Sequence, residues 1–262
     1  MLLYNSQVSG NCYKVRLLLA YLRIPYDRRE MDVIDRSDRA DVLGDLNPVL
    51  RVPTLVLDDG RPLAESNAVL WFLADGTSYL PQEPFERAKV LQWLLFEQYS
   101  HEPNLAVSRF RVAIARTPPP PAEMQARLDG GYATLDAMEG RLRHEPFVVA
   151  GRYTIADICL YAYTHVAHEA GFDLGPYPGI RLWLDRVSGR PGQVPITAER
   201  PRGRSAGYCS VSTSASAGSP SWGPEPTPAT RLSAFEPACW IFSVYLPPVL
   251  LSAVAAAFST AW

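Results

Sequence analysis

Arg51-Val52-Pro53-Thr54-Leu55 and, just beyond a turn, Leu63-Ala64-Glu65-Ser66-Asn67 together specify a strand, a hairpin and the start of a helix. Thr54 to Leu57 is β-branched and apolar, and Asp58-Asp59-Gly60 supplies the turn that ends it. Arg61 to Ala64 then pairs back as the second arm of a hairpin. Ser66 precedes Val69, Leu70 and Leu73 at helical spacing, in a helix that stops at Gly76. Upstream, Leu2 to Tyr4 reads as a short strand and Val15, Leu18, Leu19 and Leu22 as one face of a helix. Ile24-Pro25-Tyr26 breaks that helix into an extended segment running towards Val33. The order βαβ, then ββ, then α describes a small mixed α/β domain over residues 1–76.

After a linker, residues 77–86, the pattern becomes helical and predicts an all-α domain over residues 87–198. Val90, Leu91, Leu94 and Leu95 form one apolar stripe, Pro118 to Pro121 an extended break, and Met124, Leu128, Leu135, Met138 and Leu142 a second stripe. Thr154-Ile155-Ala156-Asp157 resembles a capping box, with Asp where Glu is usual, opening a helix through Tyr161 and His165. A last helix covers Ile180 to Val187. Residues 199–262 are a low-complexity tail: Ser205 to Pro228, rich in Ser, Pro, Ala and Gly, predicts disorder. Ala238 to Trp262 carries no charge and approaches the length of a membrane span, but Pro247-Pro248 interrupts it. A poorly ordered or aberrant extension is the reading adopted there, a tail anchor its alternative.

The chain has 262 residues, 47% hydrophobic and 20% charged, enough for one large or two ordinary domains. A net charge of -2 shows no basic face for nucleic acid. The cysteines Cys12, Cys159, Cys209 and Cys239 contain no C-x-x-C pair, so neither a zinc ribbon nor a disulfide framework is expected, and a reducing, cytoplasmic setting is. The first residues run straight into a strand with no signal-peptide pattern. The histidines lack ligand spacing, and no metal is expected.

Three segments carry chemistry. Ser9 lies just before the helix of Lys14, Val15 and Arg16, where unpaired N–H groups and the helix dipole favour an anion such as a thiolate. Lowering a thiol pKa there by about two units needs roughly 2.7 kcal/mol. Simple capping by Ser9 is the alternative, and Asn11 either donates its amide to the same sulfur or only shapes the turn. Val52-Pro53, if cis, would turn the Val52 backbone towards an extended peptide; a trans proline opening an edge strand is the other reading. Glu65 and Ser66 suit an α-amino acid head group, Ser66 with the helix end for its carboxylate and Glu65 for its ammonium, or else simply cap a helix.

Ser9-Gly10-Asn11-Cys12-Tyr13-Lys14-Val15-Arg16, Asn47-Pro48 leading to Val52-Pro53-Thr54-Leu55, Leu63-Ala64-Glu65-Ser66, and Thr154-Ile155-Ala156-Asp157 occur here in order. In these motifs residues 1 to about 198 resemble a bacterial cytosolic glutathione S-transferase. The resemblance implies a thioredoxin-like first domain, an all-helical second, homodimerisation through the helix after Ser66 and the helix Arg87 to Phe110, and a role in detoxification. It implies Ser9 as the thiol-activating residue, Val52 as main-chain partner of the cysteinyl unit, Pro53 as a cis proline, Glu65 and Ser66 as the γ-glutamyl clamp, and Arg51 near the glycyl carboxylate. Glutathione would be a co-substrate, with no permanently bound cofactor. The chain departs from the family at Val49-Leu50, where Gly is frequent, and in its long tail.

Tyr99, His101, Asn104, Arg109 and Phe110 are candidates for the acceptor pocket, with His101 otherwise a surface residue near a Pro103 kink. Cys12, in a first helical turn, is a candidate redox residue, whereas Cys159 reads as core and Asp157 as a structural cap. The expected function is a glutathione transferase acting on a small electrophile. The alternatives are a glutathione-dependent disulfide reductase and a non-catalytic binding module on the same fold.

Overall fold

The computed structural model describes residues 1–198; the expectations of a disordered stretch and of an apolar terminal segment in the tail fall outside the described residues. The first part of the chain builds β1 (Leu2–Asn5), α1 (Gly10–Leu22), β2 (Asp27–Glu30), α2 (Arg39–Leu43), β3 (Thr54–Val56), β4 (Pro62–Ala64) and α3 (Ser66–Ala74). The sheet order is β2-β1-β3-β4, with β2 parallel to β1 and the other pairs antiparallel. This is a thioredoxin-like domain.

Two elements differ from expectation. β2 ends at Glu30 instead of continuing to Val33, because Asp27-Arg28-Arg29-Glu30 forms an edge strand and the chain turns back to α2. α2 itself was not foreseen: five residues are too few to show a helical period.

Strand alternation sets the layers. Leu3 and Leu55 face Val15 and Leu19 of α1 and Val69 of α3, while Tyr4 packs with Met31 and Leu43 on the opposite side of the sheet. The outer faces of α1 and α3, through Tyr13, Leu17, Leu18 and Leu70, enter the larger core of the helical part. Helix α1 is therefore wrapped on all sides, and even Lys14 and Arg16 are buried.

The helical part begins with α4 (Pro84–Phe96), ahead of residue 87, because Glu83 caps it by accepting from the Phe85 and Glu86 N–H groups. It runs on through π-helical residues Glu97–Ala106, which contain Pro103, a single turn α5 (Val107–Arg109) and a second π-helical stretch Phe110–Ile114. Then come α6 (Pro121–Leu142), α7 (Ile155–Thr164), a 3-10 turn Ala167–Ala170 and α8 (Pro178–Ser188). The box at the start of α7 has both its halves: Thr154 Oγ1 accepts from the helix, and the Asp157 carboxylate accepts from Thr154 N–H at 2.9 Å. Asp157 also receives Val148 N–H and Trp183 Nε1–H, tying α7 to α8. The apolar stripe of α4 divides, with Val90 and Leu94 in the core and Leu91 and Leu95 on an outer face. No helix among the described residues is long and apolar enough to cross a membrane.

Candidate functional site

Strand register brings three segments to one end of the sheet. Tyr4 of β1 lies opposite Thr54 of β3, which lies opposite Ala64 of β4. The turn Ser6 to Ser9, the Val52-Pro53 approach to β3 and the Glu65-Ser66 exit from β4 therefore emerge together, although they are distant in sequence.

Ser9 is the N-cap of α1, with extended backbone (φ -76°, ψ 123°), and its Oγ accepts Cys12 N–H at 3.3 Å. Capping occupies a lone pair and leaves the hydroxyl hydrogen free to donate, so the capping and anion-binding readings are compatible. Asn11 is anchored within the fold: its Nδ2 donates to Glu102 Oε1 at 2.8 Å and its Oδ1 accepts from Ser66 Oγ at 3.2 Å, so the side-chain amide ties two helices to α1 and keeps one further amide hydrogen to give.

The Val52–Pro53 peptide bond is cis. Asn47 secures the loop before it, its Nδ2 donating to Arg51 O and Thr54 Oγ1, both at 3.0 Å. Arg39 of α2 ties the same loop to the segment after β2, donating to Leu50 O at 3.1 Å and to Asp32 O at 2.5 Å. No main-chain group of Val52 has a backbone partner among the described residues, so its peptide edge is open to an extended ligand. The Arg51 side chain is exposed.

Glu65 has φ 64° and ψ 113°, a backbone conformation that costs a side-chain-bearing residue about 1–3 kcal/mol and points to constraint by its surroundings. Its exposed carboxylate makes no capping bond. Ser66 is buried, donating to Asn11 and accepting from Lys14 Nζ at 3.4 Å, and it opens α3, whose first N–H groups have no partner within the helix.

The candidate acceptor residues separate. Arg109 and Phe110 line a cavity of about 80 Å³ that reaches Ser9 and Gly10, together with Val33, Ala106 and Tyr163. Arg109 is fixed there by Glu169 at 2.7 Å and donates to Val8 O at 2.7 Å. A wider groove of about 590 Å³ continues past Val8, Val33, Ile34, Ile114 and Arg116. Tyr99 lies outside the cavity and is 88% exposed. Asn104 donates to Ser100 O and packs beside Gly130. His101 is neither at the surface nor in the pocket: it is fully buried, with Nε2 at 2.9 Å from Thr164 Oγ1. Thr164 gives its own hydrogen to Leu160 O, so His101 is the donor, and burial followed by the Lys14 charge lowers its pKa to about 3.

Cys12 is also corrected. Its sulfur has no exposure and accepts Ser6 N–H at 3.3 Å, and burial raises its pKa to about 11, outweighing the hydrogen bonds that lower it. A thiol so placed is not an accessible thiolate. Cys159 lies in the core as expected.

Sequence reasoning missed Val8, Val33, Ile114 and Tyr163. Only Tyr163 carried a signal, the aromatic alternation Tyr161/Tyr163 in a capped helix, and nothing in it said which helix the second ring would meet.

Comparison with known proteins agrees with this architecture. The glutathione S-transferase N-terminal domain family matches residues 8–75 and the glutathione S-transferase C-terminal domain family residues 121–186. A glutathione S-transferase structure from Pseudomonas fluorescens Pf-5 is 46% identical, covers 75% of this chain and 98% of its own, and superposes with a TM-score of 0.73. One from Xanthobacter autotrophicus Py2 is 39% identical over 74% of this chain and 96% of its own, with a TM-score of 0.66. The disulfide-bond oxidoreductase YfcG of Escherichia coli strain K12 is 29% identical over 200 residues, 72% of this chain and 92% of that protein. Matched along both of its domains and nearly half identical to a solved relative of which it covers 98%, the chain belongs to the glutathione S-transferase family.

Proposed function

We propose that this protein is a cytoplasmic glutathione transferase that holds the glutathione thiolate at Ser9 and lets it attack a small electrophile, a detoxifying conjugation. The observation that carries this reading is the meeting, at one end of the sheet, of a capped helix start, an unpaired Val52 edge and the α3 N-terminus, with a cavity opening on Ser9. In this reading Val52 pairs with the cysteinyl backbone, Pro53 shapes that edge, Glu65 and the N-terminus of α3 at Ser66 hold the γ-glutamyl group, and Arg51 meets the glycyl carboxylate. Asn11 supports the site through Ser66 and Glu102. The electrophile enters between Val8, Val33, Arg109 and Phe110.

Catalysis would come from electrostatic preorganisation and proximity. The sulfur forms a bond to carbon, a leaving group departs with its electron pair, and the thiol proton goes to solvent. With a chlorinated nitroaromatic as electrophile, Ser9→Ala should lower kcat/KM by about a hundredfold, while calorimetry still detects glutathione uptake. Failure of the native protein to take up glutathione at millimolar concentration would refute the assignment.

A disulfide reductase is the second reading, favoured by the likeness to the oxidoreductase YfcG. Because Cys12 is buried, it would consume two glutathione molecules, releasing two thiols and one oxidised glutathione. Reduction of hydroxyethyl disulfide, measured beside conjugation, separates the two. If glutathione binds and Ser9→Ala alters neither rate, a non-catalytic binding module is the better description.

The same reading includes a homodimer. An apolar cleft of about 730 Å³ between α3 and α4, lined by Leu63, Trp71, Phe72, Leu91 and Leu95, supports pairing of these helices with those of a second copy.

A further inference from the structure

We propose that Tyr163, from the helical part of the chain, is a further catalytic residue of the thiol site: its hydroxyl donates a hydrogen bond to the glutathione sulfur at the start of α1, opposite Ser9. The inference rests on the transferase reading and deepens it.

Asn11 N–H, at the beginning of α1, donates to Tyr163 Oη at 3.1 Å across 152 residues of sequence. That bond uses a lone pair of the phenol oxygen and leaves the hydroxyl hydrogen to be given elsewhere. Among the described residues no acceptor takes it. Tyr163 lines the same small cavity as Ser9 and Gly10, and in this proposal the hydrogen is given to a sulfur seated there.

The close approach is built in. A Cβ on Gly10 would stand 2.4 Å from Tyr163 Cε1 and 2.6 Å from Cζ, so only glycine at this position lets the ring reach the helix start. The phenol is also held in its protonated, donating form. Burial, followed by the charges of Glu102 and Glu97, pushes its pKa well above the ordinary value of 10.0.

The physical consequence is a relay. A backbone N–H at the positive end of α1 polarises the phenol, and the polarised O–H in turn donates to an anion beyond it. The helix end thus acts one hydroxyl further out, where a sulfur held by Val52 and Ser9 would lie. In the conjugation step the thiol proton goes to solvent, sulfur bonds to carbon, and the leaving group takes the bonding pair. Tyr163 keeps its proton throughout.

The test uses Tyr163→Phe in the full chain, which retains the ring packed on Gly10 and removes only the hydroxyl. The thiolate ultraviolet absorption of bound glutathione is titrated against pH, beside the conjugation rate. The expected result is a bound-thiol pKa higher by about one unit, and a kcat/KM at neutral pH lower by about tenfold, with glutathione affinity nearly unchanged. Difluorotyrosine at position 163, nearly isosteric and more acidic, should shift the thiol pKa downwards. A merely structural tyrosine would move neither titration, and unchanged thiol pKa values in both variants would overturn the proposal. If native protein takes up no glutathione, the transferase reading itself fails; uptake with unmoved titrations sinks Tyr163 alone.

Discussion

Lys14 Nζ and Glu97 Oε1 meet at 2.8 Å with both side chains fully buried, joining α1 to the first π-helical stretch. Glu97 Oε2 also receives Asn67 Nδ2 and Gln98 Nε2, each at 3.0 Å, and Gln98 passes on to Glu102, the partner of Asn11. These groups form a circuit from Lys14 through Glu97, Gln98, Glu102 and Asn11 to Ser66 and back. A buried pair adds little over an apolar pair of similar volume, but removing one partner strands a charge, at about 3–5 kcal/mol. Glu97→Gln should lower stability by that amount, whereas Lys14→Met combined with Glu97→Gln should lose less. Urea unfolding of the two variants checks this, and equal or reversed losses would contradict it. Because the circuit ends at Ser66 and Asn11, loosening it should also weaken glutathione binding.

At the scale of elements, α3 and α4 each have a face the described chain leaves uncovered. Phe72 is 49% exposed, Leu91 43% and Leu95 60%, and all three line one cleft. Apolar side chains exposed together on two neighbouring helices are better satisfied against a second copy than against water. Leu95→Arg places a charge in the middle of that face. Light scattering of the full chain should show a dimer for the native protein and a monomer for the variant; a native monomer would refute the interface. The start of α7 makes the complementary point. There the helix is satisfied within the chain by Thr154 and Asp157, and Asp157 extends its reach to Trp183 of α8.

At the scale of the whole molecule, buried histidines set how the fold responds to acid. Burial lowers His101 to a pKa of about 3 and His165 to about 4, from an ordinary value of 6.5. A histidine depressed in the folded state contributes stability fully above its unfolded pKa and loses it as pH falls towards the folded one. Asp157 acts in the opposite sense: burial raises it from 3.8 to about 6, so its contribution is largest at low pH and disappears as pH rises through that value. Two depressed groups against one raised group leave a net loss of stability between pH 6.5 and 4. The urea midpoint should therefore be lower at pH 5 than at pH 7, and a higher one would refute the balance. The last described segment closes the molecule in the same way, by long-range contacts. Tyr13 Oη donates to Val194 O at 2.7 Å, and Arg16 and Gln7 both donate to Ile196 O, holding the turn before Ser9 in place. What the amino-acid order determined by itself was local. The Asp58-Asp59-Gly60 hairpin, the caps at Ser9 and Thr154 and the apolar periods of α1 and α6 depend on neighbours within a few residues, so composition and spacing reveal them. The tertiary structure alone decided that Lys14 meets Glu97 across 83 residues, that Asn11 meets Tyr163 across 152, and that Cys12 and His101 are sealed from solvent. Those outcomes depend on how whole helices pack and where side chains point, and no local period encodes either.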